Sequence, residues 1–265
     1  MTQTMPTYFI SHGGGPWPWL PAMRAALEPL ERSLARMPVE VGERPRAVLM
    51  ISGHWERDAY TVMTSARPPM VYDYYNFPPE TYQITYPAPG APEIAVRAAG
   101  LIARAGLPVA EDAEQGFDHG TFVPMALMYP QADIPLFQVS MRHSYDPDEH
   151  MALGRALAPL RDEGVLIVGS GLSYHNLRQF GPQARVPSDA FDHWLTEALA
   201  LAPADRTQAI ANWEQAPHAR DCHAREDHLV PLFAALGAAE GAAATRVYHQ
   251  TEIFGGVTAS SWRFG

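Results

Sequence analysis

The feature that most constrains this chain is a repeated punctuation: a short apolar run, one or a few small residues, then a histidine. Tyr8-Phe9-Ile10 leads into Ser11-His12, and Ala47 to Ile51 leads into Ser52-Gly53-His54. Val165 to Val168 leads into Gly169-Ser170-Gly171 and, four residues on, His175. Runs this short and this apolar read as strands buried on both faces, so each needs a covering layer above and below. Ile134 to Val139 reads as a further strand, and the tail from Thr245 to Phe264, rich in β-branched and aromatic residues, as edge strands.

Helical signals fill the gaps. Leu27, Leu30 and Leu34 recur at helical spacing between Pro21 and Arg36. A helix opens near Pro92 and stops at Gly106; another opens at Asp146-Pro147, an N-cap followed by a first-turn proline, and stops before Gly164. Ser188-Asp189 caps a helix running through Leu199, and a last helix runs from about Asp227 to Leu236 with Pro231 in its first turn. Strands alternating with helices make an α/β fold, a sheet between two helical layers. With 265 residues, no repeat and no dividing linker, a single domain over residues 1–265 is expected.

Composition narrows the partners. A net charge of −10 with neutral histidines repels phosphate backbones and anionic lipid, so neither nucleic acid nor membrane is an expected partner. The one cysteine, Cys222, allows no intrachain disulfide, which fits a cytoplasmic protein. The N-terminus has no basic region leading into a long apolar one, as a secretory signal has.

In an open α/β sheet, ligands bind beyond the carboxyl ends of the strands, so histidines leaving three strands converge on one crevice. Gly and Ser before them allow sharp turns and leave room. Convergent imidazoles suit Zn, Fe, Ni or Cu. His119, in Phe117-Asp118-His119-Gly120, sits in a turn or beside an Asp118 that orients a neighbouring imidazole. His228, after Glu226-Asp227, sits in a capping region or faces the crevice. His143 follows a strand, within reach of the crevice, while His150 and His193 fall on helices and are expected in solvent. Tyr72, Tyr74, Tyr75, Phe77 and Tyr82 are candidates for the walls of a flat-ring pocket, with Trp17, Trp19 and Trp55 nearby. There is no phosphate loop, dinucleotide fingerprint, nucleophile elbow or His-Glu-x-x-His motif.

Six stretches, in order and spanning nearly the whole chain, resemble the class III extradiol dioxygenases of the DOPA-dioxygenase type. They are Ser11 to Pro16, Ser52-Gly53-His54-Trp55, Tyr72 to Pro78, Gly116 to Gly120, Gly169-Ser170-Gly171 with His175 to Arg178, and Asp227 to Leu232. The resemblance implies a three-layer α/β/α fold with a mixed central sheet. It implies a mononuclear metal, Fe(II) for activity with Zn(II) common after purification, held by His12, His54 and His228. It makes His175 the acid–base residue or a further ligand, and sets His119 beside the substrate and O2. The implied substrate is a small aromatic diol or an aminophenol, opened to a semialdehyde-type product by a monomer or homodimer. The alternatives are a zinc hydrolase or lyase on the same fold, and a metal-free interaction protein.

Overall fold

The computed structural model describes residues 4–265. Its centre is a six-stranded mixed sheet built from β1 (Thr7–Ser11), β2 (Ala47–Ser52), β3 (Leu136–Gln138), β4 (Val165–Gly171), β5 (Ala244–Ile253) and β6 (Val257–Phe264). The spatial order is β3-β2-β4-β1-β6-β5. The first four are mutually parallel; β6 is antiparallel to β1, and β5 is antiparallel to β6. Every residue of β1, β2 and β4 is buried, which their unbroken apolar runs require, whereas β5 is mostly exposed or half-buried and forms an edge.

Helices cover both faces. The principal ones are α1 (Glu28–Val41), α2 (Pro92–Arg104), α3 (His119–Met128), α4 (Pro147–Leu157), α5 (Arg185–Ala200) and α6 (Val230–Ala238). On one face α6 packs on β1, β2, β4 and α4, with α5 beside it on β6; on the other, α1 and α3 pack together against the sheet. This is the three-layer arrangement read from the alternation of elements. Among the described residues, no helix is long and apolar enough to cross a membrane.

Several boundaries differ from the sequence reading, mostly at prolines. The helix expected over Pro21 to Arg36 is two, Pro21–Ala26 and α1, parted at Leu27. Pro29 cannot donate to the carbonyl of Ala25 and its ring would clash there, so the helix restarts. Pro159 likewise divides the helix expected to run on to Gly164. Asp146 does cap α4, accepting from Glu149 N at 2.9 Å. Ser188 and Asp189 do not cap α5, which begins at Arg185; Ser188 Oγ instead accepts from Thr258 N, tying the helix to β6. A helix at 119–128 and strands at Tyr60–Met63 and Val109–Asp112 went unread.

Candidate metal centre

The parallel strands β1, β2 and β4 end at the same sheet edge, and the residues that follow them open into one pocket of about 800 Å³. His12, His54, His119, His175 and His228 all line it. His12 leaves β1 directly. Its Nδ1 lies 3.1 Å from Ser170 Oγ at the end of β4, and its carbonyl accepts from Trp17 Nε1 at 2.8 Å. The Ser170 hydroxyl is committed to Gly120 O, so it can only accept from His12 Nδ1–H. His54 follows β2, with Nδ1 3.2 Å from Asp73 Oδ2.

His228 lies in the turn that leads into α6, where Leu229 N and Val230 N both bond back to Glu226 O. That turn frees its ring to face His54. The approach depends on glycine: a Cβ on Gly171 would sit 2.0 Å from His228 O, and one on Gly120 would sit 2.5 Å from Ser52 Oγ.

The decisive geometry is at the outer nitrogens. His12 Nε2 is 3.2 Å from His54 Nε2, which is 3.1 Å from His228 Nε2. With Nδ1–H of His12 directed at Ser170 and that of His54 at Asp73, both Nε2 atoms carry lone pairs. His228 Nδ1 lies 3.3 Å from Asp227 Oδ1 without a hydrogen bond, and it is the 3.1 Å approach of its Nε2 to that of His54 that brings it into the set. Facing lone pairs repel unless a cation lies among them. An ion with bonds of about 2.0–2.1 Å holds its nitrogens about 3.0–3.4 Å apart, so the donor set fits a transition metal. Burial, followed by the neighbouring imidazoles, holds His12 and His54 well below the ordinary histidine value. Burial and then His175 lower His228 to about 4. Neutral imidazoles are the form a metal takes.

His12, His54 and His119 could hold a metal ion, and His175, Asp227 and His228 form an adjoining group of the same kind. His119 opens α3. Its backbone N–H donates to Asp73 Oδ1 at 3.0 Å and its ring Nδ1 lies 2.8 Å from the same oxygen. His175 stacks on His228 with ring centroids 3.4 Å apart, its Nδ1 turned to Asp227 Oδ1 at 3.6 Å. Burial opposes ionisation of Asp227, but hydrogen bonding and charge interactions with His175 and His228 outweigh it and hold the carboxyl well below its usual range.

Asp73 was missed. It anchors both His54 and His119, yet it lies in an aromatic stretch read only as pocket wall, and the sequence offers Asp118 or a plain turn beside His119. Asp118 instead accepts from Ser52 Oγ and Gln138 Nε2, and burial, then Asp73, raises it to about 6. Of the aromatic stretch, Tyr74, Tyr75 and Phe77 reach the pocket, while Tyr72 and Tyr82 stand behind Tyr74. Trp17, Trp19 and Trp55 do not line it; Trp17 is wholly buried under His12. His143 lies outside, near Glu56 and Asp58, and His193 is exposed as expected. His150 is not solvated but fully buried, its Nε2 accepting from Arg142 N and its Nδ1 facing Asp146 O.

The family described as the catalytic LigB subunit of aromatic ring-opening dioxygenase matches residues 24–265. A 4,5-DOPA dioxygenase extradiol of Beta vulgaris is 37% identical, covering 97% of this chain and 96% of its own. A dioxygenase of Hapsidospora irregularis, tasH, is also 37% identical, over 98% of this chain and 85% of its own. A crystal structure of an uncharacterized protein from Escherichia coli K12 superposes with a TM-score of 0.79 at 29% identity, covering 98% of this chain and all of that one. The chain therefore belongs to the LigB family of class III extradiol aromatic ring-opening dioxygenases.

Proposed function

We propose that this chain, working as one catalytic domain, opens the ring of a catechol or aminophenol with O2, using Fe(II) held by His12, His54 and His228. The observation that carries the reading is the approach of His54 Nε2 to His12 Nε2 at 3.2 Å and to His228 Nε2 at 3.1 Å in an aromatic-walled pocket. His228 is preferred to His119 as third donor because its Nε2 lies at coordination spacing from that of His54. Fe(II) bound there would acidify the ring hydroxyls and supply electrons to O2.

The other residues handle protons and position. With Nδ1 turned to Asp227, His175 keeps Nε2 to take a proton from a ring hydroxyl and return it later. His119, its Nδ1–H held by Asp73, presents the Nε2 lone pair to the pocket and accepts a second proton or hydrogen bond. Asp73 and Asp227 keep these rings from turning. Tyr74 and Phe77, packed edge-to-face at 5.5 Å, offer an aromatic wall to a flat ring and help exclude water.

The test is anaerobic loading with Fe(II), addition of a catechol and aminophenol panel, then air. Yellow ring-opened product that needs Fe(II) and is lost in His12→Ala and His175→Ala is the expected result. No colour with any ring, although the wild type binds one Fe(II) and His12→Ala none, would move the reading to zinc-type hydrolysis.

A further inference from the structure

The histidines occupy one end of the pocket. The other end lies between the helical segment carrying Leu27 and Leu30, the loop at Phe180, and the β5–β6 hairpin with Ile253, Phe254 and Val257. Gln250 Nε2 bonds to Ala26 O at 2.8 Å, fastening the hairpin to that helical segment. A bare catechol would leave most of about 800 Å³ empty; pockets of this size hold ligands several times larger.

Most of the lining around this extra volume is carbon. The hydroxyls of Tyr74, Tyr174 and Tyr248 are already bonded, to Thr81 O, Gln179 O and Gln250 Oε1, so these rings turn their faces inward. Asp73 and Asp227 are committed to imidazoles. Arg225 is the one guanidinium on the lining, and Glu56 answers it at 2.5 and 2.7 Å. A charged substituent would lose its water here and find no free counter-charge.

The hairpin tip is held under strain at the mouth. Phe254 has φ 51° and Glu252 φ 59°, a backbone region costly for a bulky side chain. A Cβ on Gly256 would fall 1.8 Å from Gly181 O, so the tip is pinned against the loop that carries Phe180, whose ring lies 6.1 Å from that of Phe254. Phe254 is nevertheless 43% exposed, and Leu177 beside the opening 69%. Two large apolar side chains held in water at the entrance of an apolar cavity make sense if a ligand covers them.

We propose that this lobe receives a large apolar substituent on the diol ring, so that alkyl- or aryl-substituted catechols are preferred to those bearing charged side chains. The proposal rests on the ring-cleavage reading above for its choice of ring, and its test is separable from that reading.

Affinities of alkylcatechols, methyl to hexyl in both ring positions, and of 3,4-dihydroxyphenylalanine are measured calorimetrically on the Fe(II)-loaded protein without O2, and turnover is measured in air. Affinity is expected to rise about fourfold per methylene over the first few carbons. In Phe254→Asn, whose residue tolerates the left-handed backbone, and in Met23→Gln, which puts an amide on the lining at the short helix before Leu27, the slope against chain length falls by at least half. Affinity that climbs without any turnover would sink the ring-cleavage reading and leave the lobe standing. Affinity that is flat in chain length, or highest for dihydroxyphenylalanine, overturns the lobe, as does an equal drop at every chain length in both variants. An unchanged slope in Phe254→Asn, with a wild-type dimer turned monomer by sedimentation, overturns it in favour of a contact between two copies.

Discussion

The two ends of the pocket are built on opposite principles. At the sheet edge, ring nitrogens have assigned partners: His12 to Ser170, His54 and His119 to Asp73, and Ser170 in turn to Gly120. Towards the hairpin, the hydroxyls of Tyr174 and Tyr248 are bonded within the protein and most of the wall is hydrocarbon. One end specifies atoms; the other specifies only volume and polarity. An error of an ångström in the first alters the lone-pair geometry, whereas the second tolerates any apolar shape that fits. The histidine end is thus the more tightly specified of the two and the hairpin end the less exacting surface.

The largest expected effect lies at the rigid end. His12→Ala should abolish stoichiometric metal binding, seen by metal analysis after dialysis, and lower turnover by about a thousandfold or more. If that variant kept full metal, the lone-pair argument would be wrong. Asp73→Asn comes next. Its acceptor for two imidazoles is weakened, so metal affinity or kcat should fall about 10–100-fold, as it does for orienting groups behind ligands elsewhere. A loss confined to KM would place Asp73 with the substrate instead.

A third prediction concerns pH and stability. Buried His150 is lowered to about 4, chiefly by burial, below the ordinary value near 6.5. Its pKa is depressed in the folded state, so the unfolded chain binds the extra proton first. The stability it contributes is complete above about pH 6.5 and is lost as pH falls towards 4, by at most about 3 kcal/mol. Denaturant midpoints for the metal-free protein should drop across that window, and His150→Gln should flatten the drop. A drop just as steep in the variant would assign it to other groups. The smallest effect is expected at the rim. Arg225→Gln removes an exposed ion pair and should change stability by less than about 1 kcal/mol. A selective loss of binding for a carboxylated catechol in that variant would break the contrast between the two ends, because it would give the apolar side an anion site.

Much of this was legible in the chain. Unbroken apolar runs at 47–51 and 165–168 have no stable place except a sheet covered on both faces, and His12 and His54 inherit their direction from the strands they leave. Proline and capping signals located α2 and the start of α4 to within a few residues. His150 was misread because a polar residue on a helix looks the same in sequence whether or not a backbone N–H, here that of Arg142, waits to bond it.

Local signals set the strands, the turns that follow them and the histidines at their ends, since each depends on residues a few positions apart. The partners of those histidines are not local. Asp73 lies 46 residues from His119, Ser170 lies 158 from His12, and His228 lies 174 from His54. No spacing rule encodes such distances. They exist only once the parallel strands have stacked side by side and brought the loops at their carboxyl ends together, so the choice of which imidazoles face one another, and which carboxylate holds them, belongs to the assembled sheet.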